Sequence, residues 1–337
     1  MNKVLNCKKA ALIPAVIAIM MAGGCSSDDD NDEMQSHAAT LKFQVSETPL
    51  ENPEASAAST RTAETTTATF SSFNYHYVVG STLSGIEYAD KSGSDGLWTA
   101  SSDWPKSANE NTLVTFYAYA NAILKNSNDI FKGDDNKVYL NFTVDETTYN
   151  TKDLLVATAS DTYSHSQGVI GFRFSHACGA LRFSLNKTSS LDSYTVLVKT
   201  VKIYNIPSSG TYCFDDGTWA IYSTNANDKK DFTIKSYDND ANLEVSTNKA
   251  YLSAEKDYLF LLPQTLTAWN KPGAPANAYV EIECKISKGG TYKVGNASSW
   301  GYAYLPLNIT IEKGKINPVH ISMGTALRDA SGNKYFN

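Results

Sequence analysis

The chain has 337 residues, 42% of them hydrophobic and 19% charged, with 20 tyrosines and a formal net charge of −6. That balance describes a globular chain long enough for about two domains with cores of their own. It excludes nucleic acid as a partner, because no basic excess is available to displace counterions from a phosphate backbone.

Residues 1–24 read as a secretory signal: Lys3, Lys8 and Lys9 precede an apolar stretch, 10–21, interrupted by Pro14. The stretch is too short to cross a bilayer as a stable helix. Ala22, Gly23 and Gly24 then supply small residues, and Cys25 follows at once. This arrangement resembles a bacterial lipobox, with Ala22 where leucine is usual, and it implies that Cys25 is the lipidated first residue of the mature chain. Acyl chains contribute about 0.8 kcal/mol per buried CH₂, so two or three of them anchor a protein durably. Residues 25–40 form an acidic tether around SSDDDNDE. The acids either only solvate the tether or, as they resemble, act as the export signal of surface lipoproteins of the Bacteroidota. Both readings put the folded part outside the inner membrane, and the expected location is lipid-anchored at the outer membrane and cell surface.

LKFQV follows, with Leu41, Phe43 and Val45 alternating, as a short strand isolated before a polar loop. That loop, 46–69, is rich in Ser, Thr, Ala and Glu and holds Arg61. WTASSDWP places Trp98 and Trp104 where they either pack into a core or stack on a sugar. LVTFYAYA and DYLFLLPQ are apolar on both faces, as central strands are. VYLNFTV carries Val138, Leu140, Phe142 and Val144 on one face, and CFDDGTWAI predicts a hairpin that turns at Asp216 and Gly217. In AYVEIECKIS, Ala278, Val280, Ile282, Cys284 and Ile286 share one face of a half-buried strand. No stretch of about twelve residues sustains a helical period, so the chain is predicted to be all-β and built from sandwiches.

Catalytic patterns are thin. The five histidines, His37, His76, His165, His176 and His320, show no metalloprotease spacing, and no serine elbow or phosphate loop occurs. His176, in FSHACGALRF, falls in a predicted strand and reads as a hydrogen-bonded structural histidine. Cys178, Cys213 and Cys284, which the mature fold retains, match no metal or redox spacing and read as small buried residues with at most one disulfide. DDDNDE and the run Asp238, Asn239, Asp240 lack the ordered ligands and glycine of a calcium loop. No enzyme activity, cofactor or metal is expected.

Several of these pieces recur together elsewhere. The order lipobox, LKFQV, Arg-containing loop, WTASSDWP, LVTFYAYA, DLLVATA, GFRFSHACGALRFSL and YLFLLPQTL resembles that of the fimbrillin-like proteins of Bacteroidota, subunits of type V pili and their accessory lipoproteins. The resemblance implies two β-sandwich domains of transthyretin-like character, 41–168 and 169–327, with 328–337 as a short polar tail. It also implies a surface lipoprotein acting as a fimbrial subunit. A protease cuts such subunits after an arginine, the first strand leaves, and a strand of the next subunit replaces it. LKFQV matches that detachable strand, and Arg61 is the only arginine near it; on its own, Arg61 reads equally as a solvated loop residue. The strand is expected at the edge of the first domain's sheet with Leu41, Phe43 and Val45 inward. The partners implied are other pilus subunits, the outer membrane through lipid, and a ligand on another cell surface. The segment after PVHISMG, TALRDASGNKYFN, is short and polar where shaft subunits carry a donor strand. That implies a tip or accessory adhesin, which accepts a strand without donating one. The alternative is a surface glycan-binding lipoprotein with Trp98, Trp104, Trp269 and Trp300 as a stacking platform, which coplanar exposed indoles would mark.

Overall fold

The computed structural model describes residues 40–54, 68–91, 95–121, 129–144, 151–223, 225–238, 241–269 and 277–336. Cys25, Arg61, the DDDNDE run, Asn239 and Asp240 lie outside the described residues. In chain order the first strands are β1 (Thr40–Glu47), β2 (Ser72–Val79), β3 (Thr82–Leu83), β4 (Glu87–Asp90) and β5 (Trp98–Asp103). Then come β6 (Val114–Ala120), β7 (Ile130–Lys132), β8 (Val138–Thr143), β9 (Leu155–Asp161) and β10 (Val169–His176). Among the described residues the α-helical content is one turn, α1 (Tyr163–Ser166), started by Thr162, whose hydroxyl accepts from the His165 N–H.

Eight of these strands form one sheet in the order β3-β2-β4-β5-β1-β10-β9-β6. The sheet closes on itself, because β2 pairs with β4 through residues 72–75 and with β6 through residues 74–79. All but β3 therefore belong to a ring, and a ring has no free edge within it to capture a stray strand. Inside it lies a cluster rich in aromatics, among them Phe43, Phe73, Tyr75, Phe116, Phe172 and Phe174. The ring explains why β6 is apolar on both faces. Phe116 and Ala118 belong to this cluster, whereas Tyr117 and Tyr119 belong to a second one. β9 does the same, with Leu155 and Ala157 on one side and Val156 on the other.

The chain continues with β11 (Gly179–Lys187), β12 (Thr195–Pro207), β13 (Ser209–Cys213), β14 (Thr218–Tyr222) and β15 (Lys229–Ser236). Short strands follow: β16 (Leu243–Glu244), β17 (Ala250–Tyr251), β18 (Leu259–Leu261) and β19 (Gln264–Thr265). The last are β20 (Tyr279–Lys288), β21 (Thr291–Val294), β22 (Gly301–Pro306), β23 (Thr310–Ile311) and β24 (Ile316–Met323). β12 and β20 run antiparallel at the centre of a six-stranded sheet. In β20, Val280, Ile282, Cys284 and Ile286 are buried and alternate with half-buried polar residues, as the period of two requires. A four-stranded sheet, in which β11 pairs with β24 in parallel, contributes Leu181, Phe183, Val319 and Ile321 to the same second cluster. β13 and β14 make the predicted hairpin, with Gly217 at a φ of 66°, a value glycine adopts without Cβ strain. The fold is all-β, as the sequence predicts.

Two features cut across the sequence order. β8, from the first half, pairs with β13 and carries β7 on its other side, so Val138 and Leu140 belong to the second cluster. Gly168, where a boundary is expected, directly precedes β10, and β10 pairs with β1 and β9 of the first sheet. A division there would separate β10 from both neighbours. The chain instead passes to the second cluster at Ala177 and Cys178. Cys178, Cys213 and Cys284 are buried free thiols, and burial pushes the Cys284 thiol up to about 12.

Candidate functional site

The isolated strand LKFQV forms most of β1, and its place in the sheet corrects the expected edge position. β1 lies between two neighbours, parallel to β10 from Lys42↔Val169 to Glu47↔Phe174 and antiparallel to β5 through Thr40↔Asp103 and Phe43↔Trp98. The Lys42 N–H donates to the Gly168 carbonyl at 2.9 Å and the Thr48 N–H to the Phe174 carbonyl at 2.8 Å. Closure of the ring is the reason: without β1 nothing joins β5 to β10.

Leu41 and Phe43 are fully buried, and Val45 is half-buried. The Phe43 ring stacks on Phe172 at 5.0 Å and meets Tyr75 at 4.9 Å and Phe73 at 5.3 Å edge to face. Each of Leu41 and Phe43 contributes about 1.5–3 kcal/mol through burial, and each ladder hydrogen bond about 0.5–1.5 kcal/mol. β1 is thus both a structural strand and a large part of the core it closes.

By the same period of two, the next inward position is Glu47, a carboxylate only 5% exposed. Its Oε2 accepts from the Thr69 N–H at 2.9 Å and the Thr69 hydroxyl at 3.0 Å. Its Oε1 faces His176 Nε2 at 3.9 Å, while His176 Nδ1 is hydrogen-bonded to Asp153 Oδ2. Burial pushes the Asp153 carboxyl above the usual carboxylate range although His176 opposes it. Burial also works against the charged imidazole, but the Asp153 hydrogen bond and the Asp153 and Glu47 charges outweigh it and hold His176 above its ordinary 6.5. His176 is therefore hydrogen-bonded within a strand, as its sequence context suggests. Sequence reasoning missed Glu47, Thr69 and Asp153. The one signal was that Glu47 continues the row Leu41, Phe43, Val45.

Beyond β1 the chain crosses to the other sheet. Glu51 bridges Lys315 in parallel, its N–H donating to the Gly314 carbonyl at 2.9 Å and its carbonyl accepting from the Ile316 N–H at 2.8 Å. Glu54 pairs with Lys249 at 3.1 Å. The segment 40–54 therefore lies along a trough that begins between β5 and β10 and ends at the start of β24.

A family profile described as fimbrillin-like matches residues 42–333. The chain belongs to the fimbrillin-like family. A fimbrial protein from Bacteroides vulgatus is 18% identical to this fimbrillin-like chain, with a TM-score of 0.51 over 84% of this chain and 95% of that one. A candidate cell adhesion protein from Bacteroides uniformis is 13% identical, with a TM-score of 0.42, covering 88% of this chain and 96% of its own. The fimbrial anchor protein Mfa2 from Porphyromonas gingivalis is 10% identical, with a TM-score of 0.35 over 84% and 89%. At 18% identity the Bacteroides vulgatus likeness speaks to the fold. No curated protein matches the chain.

In this fimbrillin-like chain the indoles do not form a platform. Trp98 is buried against Phe70 and Phe73, Trp104 against Phe116 and Tyr163, and Trp269 against Tyr279. Trp300 is half-buried with Lys199 and Lys285 over its ring. The stacking-platform expectation is corrected by the inward row of β5, which sends Trp98 into the ring's core. At the other end of the chain, Leu327 and Phe336 are buried and the Arg328 backbone bridges Tyr304 and Lys334. The Tyr335 hydroxyl donates to the Tyr302 carbonyl at 2.7 Å. Residues 328–336 of the segment read as a polar tail are folded onto β22.

Proposed function

We propose that this fimbrillin-like chain is a fimbrial subunit, anchored at the outer membrane surface through lipid on Cys25 and primed by a cut after Arg61 that frees the segment carrying β1. A strand from a partner subunit then takes the place of β1. The observation that carries this reading is the interior position of β1: a cut at Arg61 would free it from the rest of the chain and leave the strands from β2 onward joined. Its loss would expose two unpaired edges, on β5 and β10, and an apolar trough between them, which is the arrangement that strand addition fills. The folding of Leu327 and Phe336 onto their own sheet supports a subunit that accepts a strand and does not donate these residues, a tip or accessory adhesin. The two clusters support two β-sandwich cores; we place the passage of the chain from one to the other at Ala177 and Cys178, with β8 of the first half contributing to the second.

The test is digestion of purified protein with an Arg-specific protease, followed by addition of a labelled peptide TLKFQVSE. Cleavage after Arg61 should precede other cuts, cut protein should bind the peptide once its own fragment is removed, and uncut protein should not. Cut protein alone should form no long homopolymers. Resistance of Arg61 or equal binding by uncut protein would remove the activation scheme; efficient self-polymerisation would remove the accepting-only role. For the anchor, Cys25→Ser should release the protein from the membrane fraction, and unchanged retention would end the lipoprotein reading.

A further inference from the structure

We propose that the groove vacated by β1 selects donor strands carrying an acidic residue at the fourth inward position, the place held by Glu47. The inference rests on strand removal as proposed above and adds the chemistry by which partners are chosen. Apolar residues at the first three inward positions are the common currency of strand addition and distinguish few partners. The fourth position differs because its surroundings stay behind when β1 leaves.

Among the described residues the Thr69 N–H and the Thr69 hydroxyl donate there from the retained chain, and the Nε2 of His176 faces the same carboxylate. His176 is 9% exposed, and its Nε2 is buried with no close acceptor: the Glu47 carboxylate lies at 3.9 Å, and the Thr48 backbone, which departs with the same segment, also favours the charged ring. Asp153 is engaged on the other ring nitrogen, Nδ1, and so does not serve Nε2. A leucine or alanine in the incoming strand would cover these donors without an acceptor, and buried donors left unmade are costly. A glutamine would offer one carbonyl oxygen to Thr69 but turn its own amide N–H groups toward His176. A lysine would bring no acceptor to the Thr69 donors and would set a cation beside the imidazole. The Glu47 charge adds to the upward shifts of both His176 and Asp153, behind burial for Asp153 and behind the Asp153 hydrogen bond and charge for His176. Register is fixed as well, because a slip of one residue would turn the acid outward and one of two residues would carry it to the half-buried place of Val45, against the apolar core and away from Thr69.

The experiment uses the full-length chain cut after Arg61, freed of its fragment in mild denaturant and returned to buffer. Four fluorescent peptides are titrated by polarisation: TLKFQVSE and its Glu47→Gln, Glu47→Ala and Glu47→Leu forms. The parent peptide should bind about tenfold or more tightly than each of the other three. A second acceptor, Thr69→Val with His176→Phe, keeps the test independent of how well any one variant folds. In it the order should invert, with the Glu47→Leu peptide preferred over the parent. Equal affinity of all four peptides for the natural acceptor would overturn the inference while leaving strand exchange standing. So would an unchanged preference for the acid in the double variant. Failure of every peptide to bind either acceptor would overturn strand removal itself, and the inference with it.

Discussion

Phe43 meets four aromatic rings, Phe73, Tyr75, Phe116 and Phe172, from a strand contributed by the first described residues of the chain. Phe43→Ala should therefore lower stability by about 3–5 kcal/mol in urea unfolding, whereas Val45→Ala, at a half-buried position, should cost clearly less. Equal losses at the two positions would contradict Phe43 as the centre of the ring's core. The polar end of the same row gives a pH dependence. His176 titrates above its ordinary 6.5 in the folded chain, so the folded state holds its proton more tightly than the unfolded one. The stability this supplies is fully present below about pH 6.5 and is lost as pH rises through the raised folded value. The raised Asp153 value acts in the same direction at lower pH. The melting temperature should fall as pH rises above neutrality, and His176→Gln should flatten that slope; an unchanged slope would remove His176 as its source.

At the scale of elements, the alternation in LKFQV made β1 legible as a strand and made Leu41 and Phe43 legible as inward residues. Its place between β5 and β10 was not legible, because a period of two tells which face is buried and says nothing of which strands flank it. The parallel partner β10 lies far along the chain: the Ser46 hydroxyl reaches the Phe172 carbonyl across a separation of 126 residues. Glu47 was lost for a related reason: a charged residue within SETPL reads as the start of a polar loop, and only the fold shows that the alternation runs one step further. The tryptophans were ambiguous because an indole's size serves a core and a sugar equally well. The position of β1 has a direct test. The N–H groups of Lys42 and Thr48 point toward β10, which places the N–H of Gln44, an exposed residue of the same row, on that side. Gln44→Pro should then cost about 1–3 kcal/mol by removing an interior ladder bond, while Gln44→Thr should be nearly neutral. Equal tolerance of both in thermal unfolding would return β1 to a sheet edge.

At the scale of the whole molecule, the two cores share walls. β6 and β9 send alternate residues into both, β8 leaves the first half to pair with β13 and carries β7 on its other side, and the segment 40–54 bonds to both sheets. Chain length and the family resemblance implied two cores; neither implied sharing, since a strand apolar on both faces is also what a single deep core produces. Sharing has a thermodynamic consequence. If β6 and β9 lose order, each core loses one wall, so neither cluster should survive the other's unfolding. Trp98 and Trp104 report on the first core, and Trp219, whose Nε1–H donates to the Ala177 carbonyl at 2.8 Å, reports on the second. Variants that keep indoles on one side only should melt at the same temperature, and calorimetry should give a single transition whose calorimetric and van't Hoff enthalpies agree. Removal of the β1 segment should change this, because it opens the first core on its far side while leaving β6 and β9 in place. The first core should then melt earlier than the second, and a strand supplied by a partner should bring the two transitions back together. Two separate transitions in the uncut chain would show that the shared strands do not couple the cores, and a single transition persisting after β1 has gone would show that the ring does not depend on it.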